Sequence, residues 1–528
     1  MKLTLKSLAD KPAWEAAGIR LPGYDIDKMR RDTDAAPEWV HFGAGNIFRG
    51  FIGSINQRLL NAGLAKTGII AVETFDFDII DKIYEPFDNL TLSVTTDAKN
   101  NLNTEVLASI ACGIKSSYRQ QLETIFTSPS LRLASYTITE KGYAVRKLDG
   151  ALLDIVASDI AEGPENARHA MSITAALLLA RFRAGGCPIA MVSMDNCSHN
   201  GEKLRASVME IAEGWVRNGF AGEDFIAYLN EKVSFPWSMI DKITPRPSDE
   251  VREKLEILGI EDMAPVVTSR NTYIAPFVNA EAAEYLVIED SFPNGRPPLE
   301  KAGVYMTDRE TVNKSETMKV TTCLNPLHTA LAVGGVLLGY NAIWAEMADR
   351  ELSSLAKAIA AEGIKVVVDP KIIDPREFSR EVIEDRLPNP NIPDAPQRIA
   401  TDTSQKVGIR YGETIKAYMR TPTGAAALTA IPLAIALWLR YLLAVDDNGC
   451  EFTPSSDPML AELRELLGGV TLGKSESAQG KLTPILSNTV LFGVNLYEAG
   501  LGEKIEHMYA ELLAGNGAVR ATIKRYID

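Results

Sequence analysis

Three side chains in the segment ETMKVTTCLNPLHTALAVGGVLLGY, which begins at Glu316, have the types and spacing to do chemistry together: Lys319, Asn325 and His328. Asn325 followed by Pro326 reads as a helix N-cap and first helical residue, because proline loses nothing where an amide has no intrahelical partner. The helix is expected to begin there. His328 then shares a face with Asn325 near the helix start. The β-branched run Val320, Thr321 and Thr322 predicts that Lys319 stands on a separate turn, non-helical or differently directed. A lysine held away from water has its ammonium form disfavoured and can accept a hydroxyl proton. Asparagine amide donors can stabilise the alkoxide that forms, and a histidine can hold a neighbouring hydroxyl. That set suits oxidation of an alcohol without a metal. From spacing alone, the same residues also read as a plain cap, a satisfied core histidine and a solvated lysine.

A second constellation lies near the N-terminus. In VHFGAGNIFRGF, Gly43 and Gly45 separate a short apolar run, Trp39 to Phe42, from a segment with helical periodicity, Ile47 to Leu60. Glycines at a strand-to-helix turn let a pyrophosphate reach the backbone amides at a helix N-terminus. Gly43, Gly45, Asn46, Ile47 and Phe48 are therefore candidate cofactor-binding residues. Glu73 closes the next apolar run, where an acidic residue accepts hydrogen bonds from the adenosine ribose and repels a 2′-phosphate, which favours NAD over NADP. Asp76 is an alternative for that role. The glycine turn alone would also serve simple helix packing.

These sites need scaffolds. A chain of 528 residues exceeds what one core supports, so two domains are expected, residues 1–305 and 306–528. The first has strand, turn, helix, strand order, with further strands expected in Leu131 to Thr139 and Pro188 to Met194, and predicts an α/β Rossmann-type domain with a parallel sheet. Beyond about residue 310 long Ala- and Leu-rich runs predict a mainly α-helical domain, interrupted by a Pro- and Asn-dense loop from Asp385 to Ser404. The apolar stretch Gly424 to Val445 contains Pro432 and Arg440, and with acidic residues following it suits a buried helix that surfaces at its end.

Composition narrows the partners. A net charge of −14 weighs against binding nucleic acid, and no membrane partner is expected. The 5 cysteines are scattered and form no CxxC pair, and the N-terminus lacks the apolar core of a signal peptide, so a reducing, cytoplasmic location is expected. His41, His169, His199 and His507 have no ligand-like spacing, and no metal is expected.

The catalytic segment resembles the active-site signature of the mannitol dehydrogenase family, the polyol-specific long-chain dehydrogenases, in which a Lys is followed by an apolar stretch and then Asn-x-x-His opening a helix. Further blocks resemble the family in the expected order: YTITEKGY, MVSMDNCSHNGEKLR, FPWSMIDKITPRPSD, IEDSFPNGRPPLEKAGV, RLPNPNIPD and PLAIALWLRYLLAVDDNG. The resemblance implies Lys319 as general base, Asn325 and Asn196 as the pair that stabilises the oxyanion, and Glu316 as an acidic residue linked to proton movement. It also implies Arg386 on distal substrate oxygens, with Asn389 at another substrate-binding position, and a substrate cleft between a Rossmann and a helical domain. Two features depart from the common pattern. Lys319 and Asn325 are one residue further apart, and Pro326 replaces a glycine. The glycine loop is also closer to that of mannitol 1-phosphate 5-dehydrogenases.

The expected activity is NAD-dependent interconversion of a secondary alcohol and ketone on an open-chain sugar acid or polyol, with D-mannonate and D-fructuronate first. Mannitol or arabinitol comes next and a sugar phosphate third; a non-catalytic dinucleotide-binding sensor is the alternative of a different class. The partner is a small molecule, and the chain is expected as a monomer or small homo-oligomer.

Overall fold

The computed structural model describes residues 1–96, 102–147, 149–392 and 394–527. It divides into two compact units, Met1–Asn313 and Lys314–Asp528, and the division falls inside the helix Arg309–Met318.

Six parallel strands form the central sheet of the first unit: β1 (Trp39–Phe42), β2 (Ile69–Glu73), β3 (Ile110–Lys115), β4 (Leu133–Tyr136), β5 (Ile189–Ser193) and β6 (Val233–Ser234), in the order β3-β2-β1-β4-β5-β6. Trp39 pairs in register with Ile69 on one side and with Leu133 on the other, so β1 and β4 flank the point where the strand order reverses. In an open parallel sheet that point is where a ligand crevice opens, beyond the carboxyl ends of the strands. Strands β1, β2, β4 and β5 are buried along their whole length, which explains their continuous apolar runs.

The two sheet faces are filled separately. Val40, Phe42, Ile70 and Val72 pack under the helices α1 (Arg119–Thr127), α2 (Ala170–Arg183) and α3 (Asn200–Arg217). Trp39, Ile69 and Ala71 pack against Phe48, Ile52, Ile55 and Leu59 of the helical segment after the glycine turn. The sequence reading missed β3, β6 and, among the described residues, three accessory sheets, one of which pairs Thr91–Thr96 with Leu102–Leu107 and Phe277–Ala280. Each of these strands is short or mixes polar with apolar residues, so periodicity alone does not mark it.

Every strand named above belongs to the first unit; among the described residues the second consists of helices and loops, with isolated bridges only. Its centre is the helix α4 (Asn325–Leu337), which packs against α5 (Arg350–Ile364) and α6 (Ala430–Tyr441). A helix apolar on nearly every side must be wrapped by others. By length and composition the run Arg309–Leu337 could cross a membrane, but 78% of its apolar window is buried inside the protein.

One expectation is corrected here. Arg440 does not bring α6 to the surface: it is fully buried, and its guanidinium donates to the carbonyls of Leu512, Val445 and Asp446. Those are helix-end and turn carbonyls that need donors, and an arginine fork supplies several at once.

Candidate active site

In the first unit the glycine loop leaves β1 with Gly43 at φ +102°, a conformation that favours glycine. A side chain at Gly43 would overlap the carbonyl of Thr137, which follows β4, so glycine is required by space as well as by conformation. At Gly45, by contrast, an added Cβ would meet nothing within 4 Å. The helical segment begins next to it, with a π turn at Phe48–Ile52.

Glu73, the last residue of β2, is buried, and its carboxylate organises this loop. Oε2 accepts from Ala44 N at 2.9 Å, while Oε1 accepts from the amides of Thr74, Phe75 and Asp76 at 3.0, 2.9 and 3.1 Å. Glu73 therefore joins two turns at adjacent strand ends. Asp76 is buried too; its Oδ2 accepts from Thr268 Oγ1 at 2.6 Å.

The residues fit a dinucleotide. The open space over Gly45, beside the start of a helical segment, leaves room for a pyrophosphate. Asn46 Oδ1 is buried without a hydrogen-bond partner, an acceptor that a ribose hydroxyl or an amide can fill. Phe48 is in the core, stacked on His41 at 4.1 Å, so only its backbone can face a cofactor. His41 is fully buried, and burial holds its imidazole well below the ordinary histidine range.

Asn196 follows β5 and is exposed. Its neighbour Asp195, which sequence reasoning passed over, accepts from Ile138 N and Thr139 N, both at 2.9 Å, and from the Tyr143 hydroxyl at 2.6 Å. Burial pushes the Asp195 carboxyl up, although these donors oppose the shift. Thr139 has φ +65°, an uncommon conformation for a β-branched residue. Asp195 thus holds a strained turn after β4 and anchors the turn carrying Asn196.

In the second unit Lys319 is 1% exposed, which removes the solvated reading of this residue. It does not stand on a non-helical turn. Lys319–Cys323 is a π turn continuing the helix Arg309–Met318, closed by Leu324 N donating to Lys319 O. A π turn holds one residue more than an α turn, and it lies where the sequence has one residue more between Lys319 and Asn325. Asn325 is the first helical residue of α4 with Pro326 second, and Leu324 is the cap, one position earlier than expected. Thr414 Oγ1 donates to Thr321 O at 3.1 Å and the Tyr411 hydroxyl to Pro326 O at 3.1 Å, so the junction is fixed from outside. Glu316, one turn before Lys319, is half-buried.

Arg386 closes another π turn, Val382–Arg386, and is 5% exposed, its guanidinium 5.9 Å from the Phe378 ring centroid. Asn389 is equally buried, and its Oδ1 accepts from Asn391 N at 3.0 Å. Pro393 of the RLPNPNIPD segment lies outside the described residues. His328 Nε2 is 3.0 Å from Asp394 Oδ2, a contact that ties α4 to the loop after Arg386. Lys319, Asn325 and His328 thus share one helix junction, and Arg386, Asn389 and Asp394 share one loop. Among the described residues no group of three or more His, Cys, Asp or Glu side chains could hold a metal ion.

A six-stranded sheet in this order, a glycine loop open to a pyrophosphate and a helical unit with a buried lysine beside an asparagine define a two-domain, dinucleotide-dependent oxidoreductase. The pattern of the mannitol dehydrogenase Rossmann domain matches residues 37–301 and that of the mannitol dehydrogenase C-terminal domain residues 311–513. The chain belongs to the mannitol dehydrogenase family. It is 52% identical to a D-mannonate oxidoreductase of Thermotoga maritima over 100% of this chain and 99% of that protein. Among solved structures it is similar to a substrate-free D-sorbitol dehydrogenase, with a TM-score of 0.78 and 26% identity over 96% of this chain and 97% of that one. It is also similar to the Pseudomonas fluorescens mannitol 2-dehydrogenase in a ternary complex with NAD and D-mannitol, with a TM-score of 0.72 and 25% identity over 99% of both chains.

Proposed function

We propose that this chain is a NAD-dependent dehydrogenase that interconverts D-mannonate and D-fructuronate. The observation that carries the reaction class is Lys319, buried in a π turn that leads directly into Asn325. A lysine amine held there can take the proton of a substrate hydroxyl. Asn325 donates to the oxygen as negative charge develops there, and the family resemblance gives Asn196 the same role. His328 holds a neighbouring hydroxyl, Arg386 and Asn389 hold the far part of the chain, and Glu316 passes the proton onward. NAD, when bound by the Gly43 to Phe48 loop and the acidic end of β2, supplies the hydride acceptor.

The sugar-acid substrate is supported by the full-length similarity to a D-mannonate oxidoreductase and by Arg386, whose guanidinium can grip a carboxylate. A second reading, a polyol such as mannitol or arabinitol, is favoured by the mannitol 2-dehydrogenase likeness, since Arg386 can equally hold hydroxyls. We place the enzyme in the cytoplasm as a monomer or small homo-oligomer, with residues 1–305 as cofactor domain and 306–528 as substrate domain.

The test is absorbance at 340 nm with NAD and a chelator, against D-mannonate, D-altronate, D-gluconate, D-mannitol, D-arabinitol and D-mannitol 1-phosphate. D-fructuronate with NADH is run in reverse. Turnover of the mannonate and fructuronate pair well above the polyols is expected. Turnover of polyols alone moves the chain to the second reading, and no turnover of any compound leaves a dinucleotide-binding protein without this activity.

A further inference from the structure

His328 has two ring nitrogens, and the fold spends one of them. Nε2 is buried and lies 3.0 Å from Asp394 Oδ2, within ion-pair distance but without a formed hydrogen bond in this conformation. This leaves Nδ1 as the nitrogen through which the ring can meet a ligand. Asp394 is fixed on every side. Its own backbone amide donates to Ile392 O at 2.8 Å and its carbonyl accepts from Ile343 N at 3.0 Å. Its second carboxylate oxygen accepts from Arg398, whose Nε lies at 3.0 Å. The Asp394 side chain is 9% exposed, whereas that of Arg398 is 70% exposed. The carboxylate therefore turns its buried side to His328 and its wet side to Arg398.

We propose that Asp394 is a positioning residue, which fixes the Nε2–H tautomer of His328 so that Nδ1 is presented as an acceptor to a substrate hydroxyl. This rests on the reading that His328 holds the substrate. A neutral imidazole carries one N–H, and a carboxylate beside one nitrogen selects which. Burial pushes the Asp394 carboxyl up, but His328 and Arg398 outweigh it and hold the group below its ordinary value, so the acceptor is charged at neutral pH. The other titratable side chain packed here, Glu346 of the helix Ile343–Ala348, is fully buried with its carboxyl pushed up to about 9, first by burial and then by Asp394 and Asp349. It is protonated at neutral pH, which leaves Asp394 as the negative charge that faces the ring.

Two measurements test this. In the first, nitrogen-15 spectra of the histidine rings, assigned with His328→Gln and needing no substrate, should show the Nε2–H form of His328 in the wild type and loss of that form in Asp394→Ala. The same tautomer in both proteins overturns the proposal. In the second, Asp394→Asn should lower kcat/KM on D-mannonate by about 10- to 100-fold, the size typical for losing a hydrogen bond to a charged group. Arg398→Ala, which disturbs the exposed side of the same carboxylate, should change it less than about threefold. In a His328→Ala background Asp394→Asn should cost nothing further. Equal losses for Asp394→Asn and Arg398→Ala, or full additivity with His328→Ala, make Asp394 a loop anchor and overturn the proposal. A wild type that turns over no sugar acid defeats the functional reading, while the tautomer measurement still decides this one.

Discussion

The carboxyl of Glu346 lies directly over the backbone of Gly335 in α4, in the space a side chain there would need. Glu346 is fully buried, both of its carboxylate oxygens lack hydrogen-bond partners, and its carboxyl is pushed from 4.5 up to about 9. An isolated carboxylate in such a place would be costly, and the group stays protonated instead. The folded chain then keeps a proton that the unfolded chain releases. The stabilisation tied to it is fully present below pH 4.5 and is lost as pH rises toward 9. Glu346→Gln removes that dependence. Thermal unfolding followed by circular dichroism should show the variant gaining on the wild type from pH 6 to pH 9, by about 1.4 kcal/mol per pH unit at most. A difference that is flat with pH would mean that Glu346 ionises freely in the fold.

Gly335→Ala should destabilise the second unit by about 1 to 3 kcal/mol, because the added methyl overlaps the Glu346 carboxyl in a packed interior. The overlap is with one side chain, so Glu346→Ala in the same chain should recover much of the loss. Melting temperatures of the two single variants and the double variant form the cycle. Simple additivity would show that Gly335 is needed for helix packing against something other than Glu346.

Lys319→Met should lower kcat by about 100- to 10,000-fold with little change in NAD affinity, since it removes a proton acceptor and keeps the buried aliphatic stem. Stopped-flow turnover with NAD titrated by protein fluorescence separates the two effects. Retained turnover would take Lys319 out of the reaction, and lost NAD binding would show that it mainly supports the fold.

How much of this was legible in the sequence follows from the kind of signal each feature leaves. Strands β1, β2, β4 and β5 are buried on both faces, and the apolar runs at Trp39, Gly68, Leu131 and Pro188 mark them plainly. Strand β6 is two residues long, and β3 carries Cys112, Gly113 and Lys115, so neither stands out from its surroundings. The π turns at Phe48, Lys319 and Arg386 have no composition of their own. The extra residue between Lys319 and Asn325 was visible, but only the hydrogen-bonding pattern reveals that a wide turn absorbs it. Asp195, Thr139 and Asp394 act through contacts made after folding. Asp195 reaches residues 138, 139 and 143, and Asp394 reaches residue 328, separations that no local pattern records. Arg440 misled for a related reason, because its carbonyl partners at Leu512 and Val445 come from the folded arrangement.

The last prediction concerns Glu73, whose one carboxylate accepts from four backbone amides, Ala44, Thr74, Phe75 and Asp76. Glutamine at this position has a single acceptor oxygen, and its amide nitrogen would face a donor, either Ala44 N or the three amides of the β2 turn. Leaving a buried amide unpaired typically costs about 1 to 3 kcal/mol, so the glycine loop should loosen. Glu73→Gln is therefore expected to weaken NAD binding by about tenfold or more, and to narrow the preference for NAD over NADP by removing a negative charge from the end of β2. Binding isotherms for both dinucleotides, together with KM values on one substrate, check the two parts. Weaker NAD binding with an unchanged NADP ratio would assign Glu73 to loop order alone, and would move the repulsion of a 2′-phosphate to Asp76. Asp76 is the more deeply buried of the two acids, at 2% exposed against 6%, and it already accepts from Thr268. Glu73 is accordingly expected to carry both effects.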